Sequence, residues 1–176
     1  MKSANVILAD DHPLMLMAMR AIVEHRHTVI GTCENGKDLV SLANQQAPDV
    51  VITDINMPEL NGIDAAADIM AHAPTVKVIF YTGQMTAVGY RTAMNSGAHG
   101  YVGKNEPANT LLAAIECVLN GEQFVSPAIQ TVTVASEAPS TQTPSAPDLS
   151  TLTPRQLEIL QLNAHGASSK QIAYQL

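Results

Sequence analysis

Tryptophan is absent from this chain of 176 residues, and aromatic residues make up only 3% of it. Any hydrophobic core must therefore be aliphatic, and the hydrophobic content of 46% is high enough to form one. No apolar run approaches the ~18 residues of a membrane span. The first apolar run is interrupted by Asp10, which excludes an ordinary signal peptide. We therefore expect a cytoplasmic protein that makes no membrane contact.

Cysteine and basic residues are also scarce. Cys33 and Cys117 lie far apart within apolar segments, which favours buried free thiols over a disulfide. The histidines show no H-E-x-x-H spacing and no neighbouring cysteine pair, so a zinc site is not expected. Nine Lys and Arg against sixteen Asp and Glu give a net charge of −7, which argues against nucleic-acid contacts by the chain as a whole.

Acidic residues, by contrast, stand at the ends of short apolar runs. Asp10 and Asp11 follow V-I-L-A, and Asp54 follows V-V-I-T. Such runs predict buried parallel strands, whose carboxyl ends meet at the edge where α/β sheets place their sites. Clustered carboxylates repel one another unless a cation screens them or one is protonated, and Mg²⁺ suits hard oxygen ligands. A simpler alternative is that Asp10 and Asp11 only begin a helix, with Pro13 in its first turn.

Two later apolar runs end in groups that suit a phosphoryl ligand. V-K-V-I-F-Y ends at Thr82 and Gly83, and A-H-G-Y-V-G ends at Lys104. Lysine supplies a positive charge, the hydroxyl donates a hydrogen bond, and glycine leaves space for oxygens. Together with the carboxylates, these residues predict a site that binds a phosphoryl group.

Alternating patterns along the chain predict five βα units. Strands are expected over residues 5–9, 28–33, 49–53, 76–81 and 99–102, and helices over 13–25, 36–46, 62–71, 85–96 and 107–119. Such units favour an α/β fold, a flavodoxin-like doubly wound five-stranded parallel sheet of order 2-1-3-4-5. Strands 1 and 3 are neighbours in that order, so their acidic residues should face one another. Met15, Met17 and Met19 in the first helix are interpreted as core filling, with a partner surface as the alternative.

Residues 1–130 resemble the receiver domains of bacterial two-component response regulators, on the ordered set Asp10, Asp11, Asp54, Thr82, Tyr101 and Lys104. The resemblance implies that Asp54 is the phosphoacceptor and that Lys104 pairs with the phosphoryl oxygens. Asp10, Asp11, Asp54 and the backbone carbonyl of Asn56 would hold Mg²⁺. A sensor histidine kinase would be the phosphoryl donor. The domain would not be a conventional enzyme, because it would catalyse only its own Mg²⁺-dependent phosphorylation and dephosphorylation.

Thr82 and Tyr101 would be the switch pair of this family. The Thr82 hydroxyl would move toward the phosphoryl group while the Tyr101 ring moves inward. An ordinary aromatic residue at a strand end is the alternative interpretation of Tyr101.

Composition and pattern change after the predicted receiver region. Residues 131–150 are expected to form a flexible linker, because residues 136–150 are rich in Pro, Ser and Thr. Residues 151–176 predict a short all-α segment, in which T-P-R-Q begins one helix, Gly166 ends it and Ser168 begins another. The segment L-T-P-R-Q-L-E-I-L resembles the start of the helix-turn-helix domain in LuxR/NarL-type response regulators.

This second resemblance implies transcription control through DNA binding by the full-length protein. The sequence stops before the position where the family places its recognition helix, so we expect an incomplete DNA-binding domain and no DNA-binding residues in this chain. The alternative is a receiver-only interaction module or phosphate sink without DNA output. The apolar helices predicted at 13–25 and 107–119 also raise the hypothesis of a homodimer.

Overall fold

The computed structural model of the chain describes residues 3–130, which form a six-stranded parallel sheet between two layers of helices. The strands are β1 (Asn5–Ala9), β2 (Thr28–Cys33), β3 (Val50–Thr53), β4 (Lys77–Thr82), β5 (Gly100–Gly103) and β6 (Phe124–Val125). The helices are α1 (Pro13–Val23), α2 (Gly36–Gln46), α3 (Gly62–His72), α4 (Ala87–Asn95) and α5 (Ala108–Leu119). The linker and the helices predicted at 131–150 and 151–176 lie outside the described residues.

The sheet has the order β2-β1-β3-β4-β5-β6, which confirms the predicted doubly wound order and adds a strand. All five ladders are parallel. The sixth strand was not predicted, because two residues carry no recognisable period. It pairs with β5 through Gly100–Phe124 and Tyr101–Val125.

Each face of the sheet has its own hydrophobic core, because successive strand residues point to opposite faces. In β1, Val6 and Leu8 pack with α1 and α5, whereas Ile7 and Ala9 pack with α2 and α3. The central strands are therefore buried on both sides. Because all the strands are parallel, the loops that follow their carboxyl ends lie together at one end of the sheet.

Helix α1 does not begin at Asp10 or Asp11, as the alternative interpretation of these two residues proposed. Its N-cap is His12, without a side-chain cap, and Pro13 occupies the first turn. Asp10 and Asp11 therefore do not cap the helix; instead Asp10 Oδ1 accepts a hydrogen bond from the His12 backbone N–H at 3.0 Å. Both acids therefore lie in the loop between β1 and α1.

The methionines of α1 do not all fill the core. Met19 is buried and Met15 is half-buried, but Met17 is 69% exposed. The core-filling interpretation is therefore wrong for Met17. Cys33 is buried and Cys117 half-buried, and both are free thiols. Within residues 3–130, no helix has the length and apolar character that crossing a membrane would require.

Candidate functional site

The strand register brings the predicted carboxylates together. Ala9 pairs with Thr53 across β1 and β3, so Asp10 and Asp54 leave neighbouring strands at the same level. The Asp54 backbone N–H donates to the Ala9 carbonyl at 2.9 Å, which continues the ladder into the loops. Asp10 is fully buried, and Asp54 is nearly so. The predicted acidic cluster at the sheet edge is therefore present.

Lys104 lies between these two buried carboxylates. Its Nζ is 2.6 Å from Asp10 Oδ2 and 2.7 Å from Asp54 Oδ2, and only 13% of its side chain is exposed. The Lys104 backbone N–H donates to the Thr82 carbonyl at 2.9 Å, which fixes the start of the lysine stem. Burial alone would lower the pKa of Lys104, but hydrogen bonds and charge attraction from Asp10 and Asp54 raise it above its ordinary value. The ammonium group therefore stays charged and contacts both acids, but its single charge offsets only one of two carboxylate charges.

The Asp54 carboxylate is held at both oxygens. Oδ2 contacts Lys104, while Oδ1 accepts the Ile55 backbone N–H at 2.6 Å. Gly62, at the start of α3, donates its N–H to the Ile55 carbonyl at 2.8 Å. A Cβ atom on Gly62 would lie 1.9 Å from the Asp54 carbonyl oxygen, so only glycine permits this close approach. Asn56, two residues beyond Asp54, is exposed.

The acidic edge offers a set of metal ligands that includes a residue the sequence did not single out. One ligand atom each from Asp10, Asp11 and His12 lies within 4.8 Å of the others. His12 Nδ1 is 2.7 Å from Asp11 Oδ1 and 3.3 Å from Asp10 Oδ1. Asp11 is partly exposed, so the cluster opens to solvent on one side. Buried and open carboxylates together form a hard oxygen donor set, and such a set fits Mg²⁺.

Thr82 and Tyr101, the predicted switch pair, are both fully buried and share a main-chain partner. The Tyr101 hydroxyl donates to the Gln84 carbonyl at 2.8 Å, and Thr82 Oγ1 accepts the Gln84 N–H at 3.2 Å. The Tyr90 ring packs edge-on against Tyr101, with centroids 5.6 Å apart and planes at 87°. Burial, and secondarily the charge of Asp54, raises the pKa of Tyr101 to about 12. The phenol therefore remains a hydrogen-bond donor at neutral pH.

No sequence pattern singled out Gln84 or Tyr90. Gln84 acts through its backbone, whose position no residue type specifies, and Tyr90 lies on a helix whose orientation depends on packing. Gly83 was predicted to leave space, and a Cβ there would have no atom within 4 Å. In the loop between β4 and α4, Gly83 therefore faces free space, whereas the Gln84 backbone is hydrogen-bonded to Thr82 and Tyr101.

Two protein families match the chain. Residues 6–116 match the family described as response regulator receiver domain, and residues 150–176 match bacterial regulatory proteins of the luxR family. The virulence-factor transcription regulator BvgA of Bordetella pertussis is 34% identical over 170 residues, which cover 96% of this chain and 79% of BvgA. The nitrate/nitrite response regulator NarL of Escherichia coli is 30% identical over 175 residues, covering 98% of this chain and 81% of NarL.

Solved structures give the same assignment. A LuxR-family two-component response regulator from Aurantimonas sp. superposes with a TM-score of 0.74 and 26% identity, covering 77% of this chain and 98% of the other. The isolated receiver domain of RcsB from Salmonella enterica, determined with the phosphomimetic beryllofluoride, superposes with a TM-score of 0.70 and 26% identity over 74% of this chain and 99% of that domain. With the site geometry and both family matches, the chain belongs to the LuxR/NarL-type two-component response regulators.

Proposed function

We propose that Asp54 accepts a phosphoryl group from a sensor histidine kinase. The observation that carries this proposal is the buried ion triad, in which Lys104 bridges Asp10 and Asp54 at the carboxyl ends of β1 and β3. An aspartate beside a fixed cation is suited to receive a group whose negative charge grows during transfer. Membership in the response regulator family supports the same role.

The transfer forms one bond and breaks another. An Asp54 carboxylate oxygen forms the new P–O bond, while the P–N bond of a phosphohistidine breaks and the leaving imidazole nitrogen takes up a proton. The product is an acyl phosphate, which is labile and suits a transient signal. Lys104 stabilises the charge that spreads over the transferred oxygens. The kinase supplies the phosphohistidine, while the domain promotes only its own phosphorylation and dephosphorylation and is not a conventional enzyme.

The carboxylates of Asp10, Asp11 and Asp54 and the backbone carbonyl of Asn56 would hold Mg²⁺ in this proposal. The ion, when bound, supplies positive charge for phosphoryl oxygens. Asp10 is the most constrained member, since it is fully buried and accepts the His12 N–H. Asn56, exposed beside the acceptor, is placed to affect how long the acyl phosphate survives attack by water.

Thr82 and Tyr101 would report phosphorylation to the rest of the domain. A phosphoryl group on Asp54 adds acceptor oxygens, which can draw the Thr82 hydroxyl away from its present contact. The Gln84 backbone is hydrogen-bonded to both side chains. Movement of the Thr82 hydroxyl would therefore disturb the carbonyl that accepts the hydrogen bond of the Tyr101 hydroxyl. The loop at Gln84 is therefore the bistable element of the proposed switch.

The proposed output is control of transcription in the cytoplasm. Residues 1–130 would be the receiver, residues 131–150 the linker and residues 151–176 the helix-turn-helix segment that matches the luxR family. The relatives BvgA and NarL carry names that describe a transcription regulator and a response regulator, which supports DNA as the eventual partner of this family. We also propose that the protein forms a homodimer through α1 and α5. Leu14 and Met17 expose apolar surface on α1 that would contact the second copy.

Intact-protein mass spectrometry tests the phosphoacceptor. The wild-type chain incubated with acetyl phosphate and Mg²⁺ should gain one phosphoryl group, and Asp54→Asn should gain none. Asp68→Asn is the matched control, because Asp68 is an exposed aspartate on α3, and it should be labelled like the wild type. Labelling of Asp54→Asn at the wild-type level, or no labelling of the wild type, would overturn the proposal.

A further inference from the structure

Residues 124–130, which we call the β6 segment, lie along the strand that carries Tyr101. Val125 is in register with Tyr101 across the β5–β6 ladder. The Phe124 N–H donates to the His99 carbonyl at 2.9 Å, and the Ser126 N–H donates to the Tyr101 carbonyl at 3.0 Å. The main chain of the switch residue is therefore hydrogen-bonded to the β6 segment.

A side chain of the β6 segment also shares the core of Tyr101. Ile129 is fully buried and belongs to the same hydrophobic cluster as Tyr101, on the face of the sheet covered by α2, α3 and α4. The Ala128 N–H donates to Glu106 Oε1 at 3.3 Å, which joins the segment to the loop after Lys104. The segment is thus attached to β5 by the backbone, by apolar packing and by the loop that follows Lys104.

Helix α5 packs on the other face of the sheet. Its buried residues Leu111, Ile115 and Val118 pack in the other cluster, on the opposite face of the sheet from the Tyr101 ring. Residues beyond Gln130 lead toward the part of the chain that matches the luxR family. Among residues 3–130, the β6 segment is therefore both hydrogen-bonded to β5 and the last part of the chain before residue 131.

We infer that Ser126 and Ile129 are positioning residues for Tyr101, and that the β6 segment is coupled to the state of Tyr101. The inference rests on the proposed function, because it names the residues that respond when Tyr101 moves. Movement of the Tyr101 ring changes the packing space that Ile129 shares, and the Ser126 N–H follows the Tyr101 carbonyl. Truncation of Ile129 should therefore shift the equilibrium between the two states of Tyr101, and with it the affinity of the Asp54 site for a phosphoryl probe.

The test uses NMR spectra of the full chain with Mg²⁺, before and after titration with beryllofluoride as the phosphoryl probe. In the wild type, signals of Thr82 and Tyr101 should shift together with the Ser126 amide and the Ile129 methyl groups. Ile129→Ala should change the beryllofluoride midpoint by about 2- to 30-fold, the span expected when a coupling residue is altered. Ile115→Ala is the matched control, a fully buried isoleucine in the other cluster, and its midpoint should stay within about 2-fold of the wild type.

The outcomes separate this inference from the proposed function. If Thr82 and Tyr101 respond while Ser126 and Ile129 do not, the β6 coupling is wrong and the phosphoryl switch stands. If none of them responds, the proposed function fails and the coupling fails with it. Equal midpoint changes in the two alanine variants would also overturn the coupling, because they would report lost stability alone. Ile129→Val replaces Ile129→Ala if the larger truncation prevents folding, and it should shift the midpoint in the same direction.

Discussion

Replacing Lys104 by methionine should lower the free energy of unfolding by about 3–5 kcal/mol, the cost of removing one partner from a buried ion pair. The Lys104 ammonium lies 2.6 Å from Asp10 and 2.7 Å from Asp54, and 13% of the lysine side chain is exposed. Without it, two buried carboxylates would face each other with no counter-charge. Methionine keeps an unbranched apolar stem, so most of the loss should come from the charge rather than from packing.

Urea unfolding followed by far-ultraviolet circular dichroism measures this change, because the chain has no tryptophan to report by fluorescence. EDTA should be present so that no divalent ion replaces the lost charge. Lys37→Met is the control: Lys37 is 67% exposed with Nζ 3.5 Å from Glu59, and its loss should cost less than about 1 kcal/mol. Adding Asp54→Asn to Lys104→Met should restore part of the stability, because one buried charge is removed. A Lys104→Met protein as stable as the wild type would refute the reasoning.

Two further predictions concern a pair of histidines and a glycine. Burial lowers the pKa of His27 and His99 from 6.5, and Nδ1 of each imidazole accepts a backbone N–H. The neutral imidazoles should therefore contribute their full stabilisation of the fold above pH 6.5. That stabilisation should be lost as the pH falls through the lowered native pKa. The slope of unfolding free energy against pH below 6.5 should therefore be smaller in His27→Gln/His99→Gln than in the exposed control His25→Gln, and equal slopes would contradict this. Gly62→Ala should cost about 1–3 kcal/mol in urea unfolding and slow acetyl phosphate labelling, because the loop carrying Asp54 must shift. A Gly62→Ala variant as stable as the wild type would contradict this, because it would show that the loop after Asp54 can shift without a loss of free energy of unfolding.

The position of the acidic cluster was predictable because it depends only on where strands end. Val and Ile runs indicated β1 and β3, and the doubly wound order made them neighbours, so Asp10 and Asp54 had to meet. The contact of Lys104 with both acids was not predictable, because it depends on side-chain rotamers and on the position of β5 along the strand direction relative to β1 and β3. The sequence resemblance named the lysine but not its partners in the folded chain.

Features that depend on helix orientation were harder to predict. Helix α1 is apolar on most of its surface, so its pattern does not determine which side faces the sheet, and Met17 is exposed where core filling was expected. The two residues of β6 are too few to show a period. The hydrogen bonds of Gln84 involve backbone atoms, whose placement follows from tertiary packing rather than from residue type.

The short sixth strand also protects an edge. Residues Gly100–Gly103 of β5 are buried throughout, and without β6 this apolar strand would present unpaired N–H and C=O groups at the border of the sheet. Such a border can recruit a strand from another molecule and start aggregation. Pairing with Phe124 and Val125 covers Gly100 and Tyr101 of this border, and a strand of two residues offers little template of its own. The same segment that contacts Tyr101 therefore helps to keep the receiver sheet from growing beyond one chain.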